Sequence, residues 1–120
     1  MACLYDNMST DFFRELTWGD LFVWAGKDIV TIGRKFQVEG RVKKLSTTNT
    51  GGLLAWVDEE DLYVTRIESD SAEMISECTC SQNENPCTHA IAVIIEYIVC
   101  IKRNMNVPAA KSNDRRFFLL

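Results

Sequence analysis

The sequence predicts an α+β domain with N-terminal helices, a four-stranded antiparallel β-meander, a cysteine-rich loop and a C-terminal helix. Three patterns support this fold class. Apolar residues recur at helical spacing before residue 40, β-branched segments separated by short turns occupy residues 41–79, and an almost continuous apolar segment follows at 90–101. A chain of 120 residues, of which 47% are hydrophobic, is long enough for one modest core.

The first predicted helix follows an N-terminal lead at 1–15, of which residues 1–10 are interpreted as a polar lead. It should begin near Thr17, because Thr17 and Asp20 have the spacing of a capping box. It should end near Ala25, where Gly26 is a suitable stop because glycine readily adopts the backbone conformation that closes a helix.

A second helix is predicted over residues 28–39. Ile29, Ile32 and Phe36 recur there at helical spacing, and Gly40 follows the end of the pattern. Gly33 lies inside this segment, at an intrinsic cost of about 1 kcal/mol relative to alanine.

The pattern then changes to strands joined by turns. Strands are predicted at 41–47, 53–57, 62–68 and 73–79, with turns at 48–52, 58–61 and 70–71. Connections this short imply antiparallel neighbours. The last strand should deliver Cys78 and Cys80 to one side, since residues two apart in an extended segment point the same way.

A final helix is predicted from about residue 87 to residue 103, and it is apolar nearly all round. Such a helix is either central to the core or docked against a second molecule. The segment 16–103 is therefore one predicted domain, and 104–120 is a tail in which Pro108 ends any helix. The apolar end of the tail, 115–120, either packs back on the domain or begins a further segment.

Four residues carry the clearest chemical signal: Cys78, Cys80, Cys87 and His89. Three thiolates and one imidazole are a complete tetrahedral set for zinc, and a closed set of four protein ligands is typical of a structural site. The polar segment 81–86 contains turn-forming residues that can reverse the chain between the two pairs. Cys87 should sit at or before the first turn of the final helix, where the positive end of the helix dipole favours thiolates.

Disulfide formation and chance clustering are the two alternatives to a metal site. A disulfide across Cys78 and Cys80 would close a strained ring, and five cysteines would leave one unpaired. The chain has neither a regular cysteine framework nor a secretory signal, so we expect a reducing, cytoplasmic setting. The apolar segment 90–101 is too short to span a bilayer.

The order Cys-x-Cys, short polar gap, Cys-x-His and apolar helix resembles the SWIM zinc finger. Three upstream segments are similar to elements of prokaryotic SWIM proteins: 16–18, 33–36 and 40–42. The resemblance covers roughly residues 16–101. It implies a Zn²⁺ ion held by Cys78, Cys80, Cys87 and His89, and a module that binds DNA or protein, often within larger proteins such as chromatin-remodelling ATPases and transposases.

No enzymatic site is predicted, because the one histidine belongs to the metal set and neither a phosphate-binding loop nor a serine hydrolase triad is present. A formal charge of −4 disfavours general nucleic-acid binding, so a protein partner is favoured over DNA. The exposed side of the final helix, with Ala92 and Val99, is the candidate surface for a protein. The candidate surface for DNA consists of Arg34, Lys35, Arg41, Lys43 and Lys44. The acidic turn at 58–61 is interpreted as solvated.

A thiol-based redox or metal sensor is the alternative function, since oxidation of zinc-bound thiolates can release the metal. An exposed, electropositive finger would favour such a sensor, whereas the segment around these ligands contains Glu77 and Glu84. Titration of zinc release against a mild oxidant distinguishes the two functions.

Overall fold

The computed structural model describes residues 12–70, 73–80 and 86–120. The predicted polar lead at 1–10, the Cys3 thiol and most of the loop between Cys80 and Cys87 lie outside the described residues. The main elements are α1 (Trp18–Ala25), α2 (Lys27–Val38), β1 (Val42–Thr47), β2 (Leu53–Glu59), β3 (Asp61–Asp70), β4 (Glu73–Cys78), α3 (Thr88–Lys102) and α4 (Arg116–Leu119). The predicted α+β fold class is confirmed.

The four strands form one sheet in the order β1-β2-β3-β4, and every neighbouring pair is antiparallel. Helix α3 packs against this sheet, and α2 packs against α3. Alternate strand residues such as Leu53, Ala55 and Val57 face α3 and join its apolar side chains in the core. The first turn of α3, which carries His89, therefore lies between the sheet and α2.

The start of α1 agrees with its sequence pattern. Thr17 Oγ1 accepts a hydrogen bond from the Asp20 backbone N–H, and the Asp20 carboxylate accepts one from the Thr17 N–H, so the capping box is complete. Gly26 has φ 87° and ends the helix, as predicted.

Gly33 permits a close approach of α2 to α3. A Cβ atom built on Gly33 would lie 2.7 Å from Ile91 Cγ2 and 2.9 Å from the Thr88 carbonyl oxygen. Ordinary carbon contacts are about 3.5–4.0 Å, so no larger residue fits without moving a helix. The intrinsic cost of glycine inside α2 is thus offset by tight packing between the two helices.

The prediction that Ala92 and Val99 lie on an exposed side of the final helix is wrong in part. Ala92 is fully buried, and Val99 is half-buried. Helix α2 covers this side, with Gln37 Nε2 donating a hydrogen bond to Glu96 Oε1 at 2.9 Å. The apolar character all round α3 therefore reflects contacts on two sides within the domain.

The β2–β3 hairpin is tighter than predicted. Instead of a four-residue turn at 58–61, the strands continue to Glu59 and from Asp61, which pair with each other, and Glu60 turns the chain with φ 66°. Strand β4 ends at Cys78, one residue before the predicted end, so Cys80 lies beyond the strand. The tight β2–β3 hairpin and the end of β4 at Cys78 determine which residues surround the predicted metal ligands.

The end of the C-terminal tail packs on the face of the sheet opposite α3, where Arg115 lies over the Trp56 ring and Arg66 lies over the Phe117 ring. The guanidinium of Arg116 is 5% exposed and donates hydrogen bonds to the Lys44 carbonyl, Ser46 Oγ and both carboxylate oxygens of Asp114. This ion pair holds the pKa of Asp114 at about 2. The Thr47 N–H also donates a hydrogen bond to the Pro108 carbonyl of the tail, and the Thr47 carbonyl accepts one from the Ala110 N–H.

Candidate metal centre

The metal centre forms where the end of the sheet meets the start of α3. Cys78 is the last residue of β4, and Cys80 follows two residues later. Cys87 lies just before the first turn of α3, as predicted, where it is the N-cap in extended conformation, and His89 lies in the first turn. One ligand atom from each of these four residues lies within 4.8 Å of the other three, and no other such group occurs among the described residues.

Strand pairing places Cys78 beside β3. Cys78 is the register partner of Thr65, and the Thr65 hydroxyl lies 3.2 Å from Cys78 Sγ. The next residue continues the pairing, because the Thr79 N–H bonds to the Val64 carbonyl and the Val64 N–H bonds to Thr79 Oγ1. These contacts fix the direction from which the first thiol enters the site.

His89 is held on all sides. Its side chain is 1% exposed, and its Nδ1 atom lies 3.4 Å from Cys78 Sγ. The other ring nitrogen, Nε2, lies 2.7 Å from Glu59 Oε1. Tyr63 of β3 stacks on the imidazole with ring centroids 4.9 Å apart, and Phe36 of α2 stacks at 5.9 Å.

The protonation of the cluster without metal follows from mutual hydrogen bonds. A hydrogen bond with Cys87, together with burial, raises the pKa of the Cys78 thiol to about 12. The same bond and the Ala90 backbone N–H lower the pKa of Cys87, so Cys87 loses its proton more readily than Cys78. Burial opposes the charged form of His89, but hydrogen bonds with Cys78 and Glu59 still raise its pKa.

This donor set fits Zn²⁺. Zn–S bonds of about 2.3 Å place tetrahedral ligand sulfurs roughly 3.8 Å apart, comparable to the spacing of the four ligand atoms. Three thiolates crowded together repel one another, and a divalent cation reduces their total charge from −3 to −1. Cys78, Cys80, Cys87 and His89 would hold the ion, and its chemistry there would be structural, as in other sites with four protein ligands.

Four of the five basic residues predicted as a DNA-binding surface divide between two elements. Exposed Arg34 and Lys35 lie on α2, whereas Lys43 and Lys44 are exposed on the edge strand β1. Arg41 lies between these pairs in sequence and is neutralised locally. Its Nε donates to Glu39 Oε1 at 2.7 Å, and its Nη1 donates to the Asp58 carbonyl at 3.1 Å.

Four residues around the ligands were not predicted from the sequence: Phe36, Glu59, Tyr63 and Thr65. The sequence predicts a solvated turn at Glu59, whereas the Glu59 carboxylate contacts the only histidine. No local motif identifies this partner, because it depends on the register of β2 and β3 relative to α3. Glu59, Tyr63 and Thr65 do share a position that the sequence shows, since all three lie in the β2–β3 hairpin immediately before the strand that carries Cys78.

Comparison with known proteins gives one match. Residues 62–98 match the family model of the SWIM zinc finger. This segment contains β3 without its first residue, β4, all four candidate ligands and most of α3. No curated protein and no solved structure matches the chain. No helix among the described residues is long and apolar enough to cross a membrane. The family match and the Cys₃His cluster together show a zinc-finger segment of the SWIM type at residues 62–98.

Proposed function

We propose that this chain is a non-enzymatic interaction module, closed by one structural Zn²⁺ ion, that binds an acidic protein segment with an apolar anchor. The observation that carries the choice of partner is an exposed aromatic surface bordered by cations. Its apolar members, Trp18, Phe22, Ile98 and Val99, together with the basic residues Arg34, Lys35 and Lys102, define the Trp18 surface.

Two grooves meet at Trp18, whose side chain is 48% exposed. A groove of about 540 Å³ between α1 and α2 is lined by Trp18, Phe22, Arg34 and Lys35, among others. A second groove of about 320 Å³ between α1 and α3 is lined by Trp18, Ile98, Val99 and Lys102, among others. Exposed aromatic side chains in concave, apolar surroundings are typical of binding surfaces.

The charge around the grooves favours an acidic partner. The Arg34 guanidinium lies 5.9 Å from the centroid of the Trp18 ring, so its charge is held at the groove. Lys35 and Lys102 line the two grooves from other sides. The complete chain has a formal charge of −4, and Arg41 is already paired with Glu39, which argues against an extended phosphate-binding surface.

The state of the cysteines limits where such a module works. Zinc binding requires three free thiols, which persist in a reducing compartment. We therefore propose an intracellular, reducing location.

The test uses the zinc-loaded chain and synthetic probes. Binding of an acidic amphipathic peptide containing leucine and tryptophan is compared with binding of its Lys-substituted counterpart, and of single- and double-stranded oligonucleotides at two salt concentrations. Trp18→Ala should weaken binding of the acidic peptide about 30-fold, equivalent to about 2 kcal/mol for an aromatic hot spot. Leu62→Ala is the matched control, because Leu62 is a similarly exposed apolar residue at 57% on β3.

Two results would count against this function. Equal binding of the acidic and Lys-substituted peptides would remove the argument from charge. Salt-dependent oligonucleotide binding that Lys43→Ala weakens, with no peptide binding, would assign the module to nucleic acid instead.

A further inference from the structure

We propose that Glu59 is a positioning residue of the metal centre, whose carboxylate holds His89 in the tautomer and ring orientation that present Nδ1 to the three thiols. The inference rests on the zinc-binding part of the proposed function. It starts from one contact, the 2.7 Å distance between Glu59 Oε1 and His89 Nε2.

The contact selects a tautomer. Neutral imidazole carries one N–H and one nitrogen lone pair, and a carboxylate can only accept. The proton therefore lies on Nε2, which donates to Glu59. The lone pair remains on Nδ1, the atom that lies 3.4 Å from Cys78 Sγ on the side of the thiols.

The same contact selects a ring orientation. Stacking on Tyr63 and Phe36, with interplanar angles of 18° and 29°, fixes the plane of the imidazole. Stacking alone does not distinguish the ring from one rotated by a half turn, which would put carbon atoms where both nitrogens now lie. Outside the thiol cluster itself, the hydrogen bond to Glu59 is what separates these two orientations, because carbon cannot replace Nε2 as its donor.

The hairpin presents Glu59 for this role. Glu59 ends β2 opposite Asp61, and the one-residue turn at Glu60 keeps the carboxylate beside the start of α3. Its side chain is 39% exposed, whereas that of His89 is 1% exposed. Glu59 thus reaches the buried imidazole from the surface, and its replacement leaves the apolar core intact.

The test measures zinc affinity by competition with a chromophoric chelator. Glu59→Ala should weaken zinc binding about 10–100-fold, the usual effect of removing a carboxylate behind a histidine ligand. Glu59→Gln should lose less, because its amide oxygen still accepts from Nε2–H. Glu60→Ala is the matched control, since Glu60 is the exposed neighbouring acid and the 2.7 Å contact with His89 is made by Glu59.

Two spectroscopic readouts separate positioning from general stability. In the zinc-loaded protein, ¹H–¹⁵N correlation of the imidazole should show a protected Nε2 proton that Glu59→Ala exposes to exchange. In the Co²⁺-loaded protein, the ligand-field bands should change in Glu59→Ala and not in Glu60→Ala. Equal zinc affinities and equal imidazole spectra for Glu59→Ala and Glu60→Ala would overturn the inference about Glu59 and leave the proposed function standing. Wild-type protein that binds no zinc would overturn both the inference and the proposed function.

Discussion

Replacement of Gly33 by alanine should destabilise this domain, although alanine is the better helix former. In an exposed helix the change would stabilise by about 1 kcal/mol. Here the new Cβ would lie 2.7 Å from Ile91 Cγ2, 2.8 Å from Ile91 Cβ and 2.9 Å from the Thr88 carbonyl oxygen. Relief requires α2 to retreat by about 1 Å, judged against ordinary contacts of 3.5–4.0 Å.

The cost should lie near the upper end of the 1–3 kcal/mol typical of overpacking, because one neighbour is backbone and the other a stiff β-branched side chain. After the gain in helix propensity, we expect a net loss of about 2 kcal/mol in the free energy of unfolding. Denaturant unfolding at a fixed, buffered concentration of free zinc measures this difference, since bound metal itself adds stability.

Gly19→Ala is the matched control. Gly19 is also helical, but the nearest atom to its added Cβ is Thr17 Oγ1 at an ordinary 3.6 Å. This variant should be as stable as the wild type or up to about 1 kcal/mol more stable. If Gly33→Ala were equally stable, the close approach of α2 and α3 would be refuted.

Three further outcomes are expected. Cys87→Ser should abolish high-affinity zinc binding and unfold most of the chain, because structural zinc contributes on the order of 10 kcal/mol. Cys100→Ser, at a buried cysteine outside the cluster, should keep both the metal and the fold, so equal melting temperatures of the two variants would contradict the prediction. Zinc affinity should rise with pH through neutrality, because the pKa of the Cys78 thiol is about 12 without metal and zinc must displace its proton. A zinc affinity that does not change with pH, after correction for the competing chelator, would exclude this displacement of the proton. Arg116→Lys should lower the free energy of unfolding by about 1–3 kcal/mol, since a lysine cannot form the forked contacts of the buried guanidinium. In the same denaturant assay, Arg103→Lys should change the free energy of unfolding little, because Arg103 is exposed.

Features encoded locally were predictable from the sequence. The capping box at Thr17, the stop at Gly26 and the position of Cys87 before the first turn of α3 depend on a few consecutive residues, and the structure confirms each. The Cys-x-Cys and Cys-x-His pairs belong to the same class, because their spacing can be read without a fold.

Features that depend on long-range register were not predictable. A run of four acidic residues at 58–61 is typical of a solvated turn, yet β2 and β3 continue to a one-residue connection at Glu60. That extension brings Glu59 to a histidine 30 positions away. Likewise, the periodicity of α3 cannot show that α2 covers its second side, which depends on the absence of a side chain at Gly33.

His89 connects these long-range features, so metal binding and packing should be coupled. The imidazole contacts Phe36 of α2, Tyr63 of β3 and Glu59 of β2, in addition to the thiol cluster. A shift of α2 therefore changes the stacking that fixes a ligand, and thermodynamic linkage requires zinc to stabilise the α2–α3 contact in return. Gly33→Ala should consequently weaken zinc binding as well as folding. Zinc affinity that stays at the wild-type value in this variant, despite the expected loss of stability, would show that Phe36 contributes packing without positioning the imidazole.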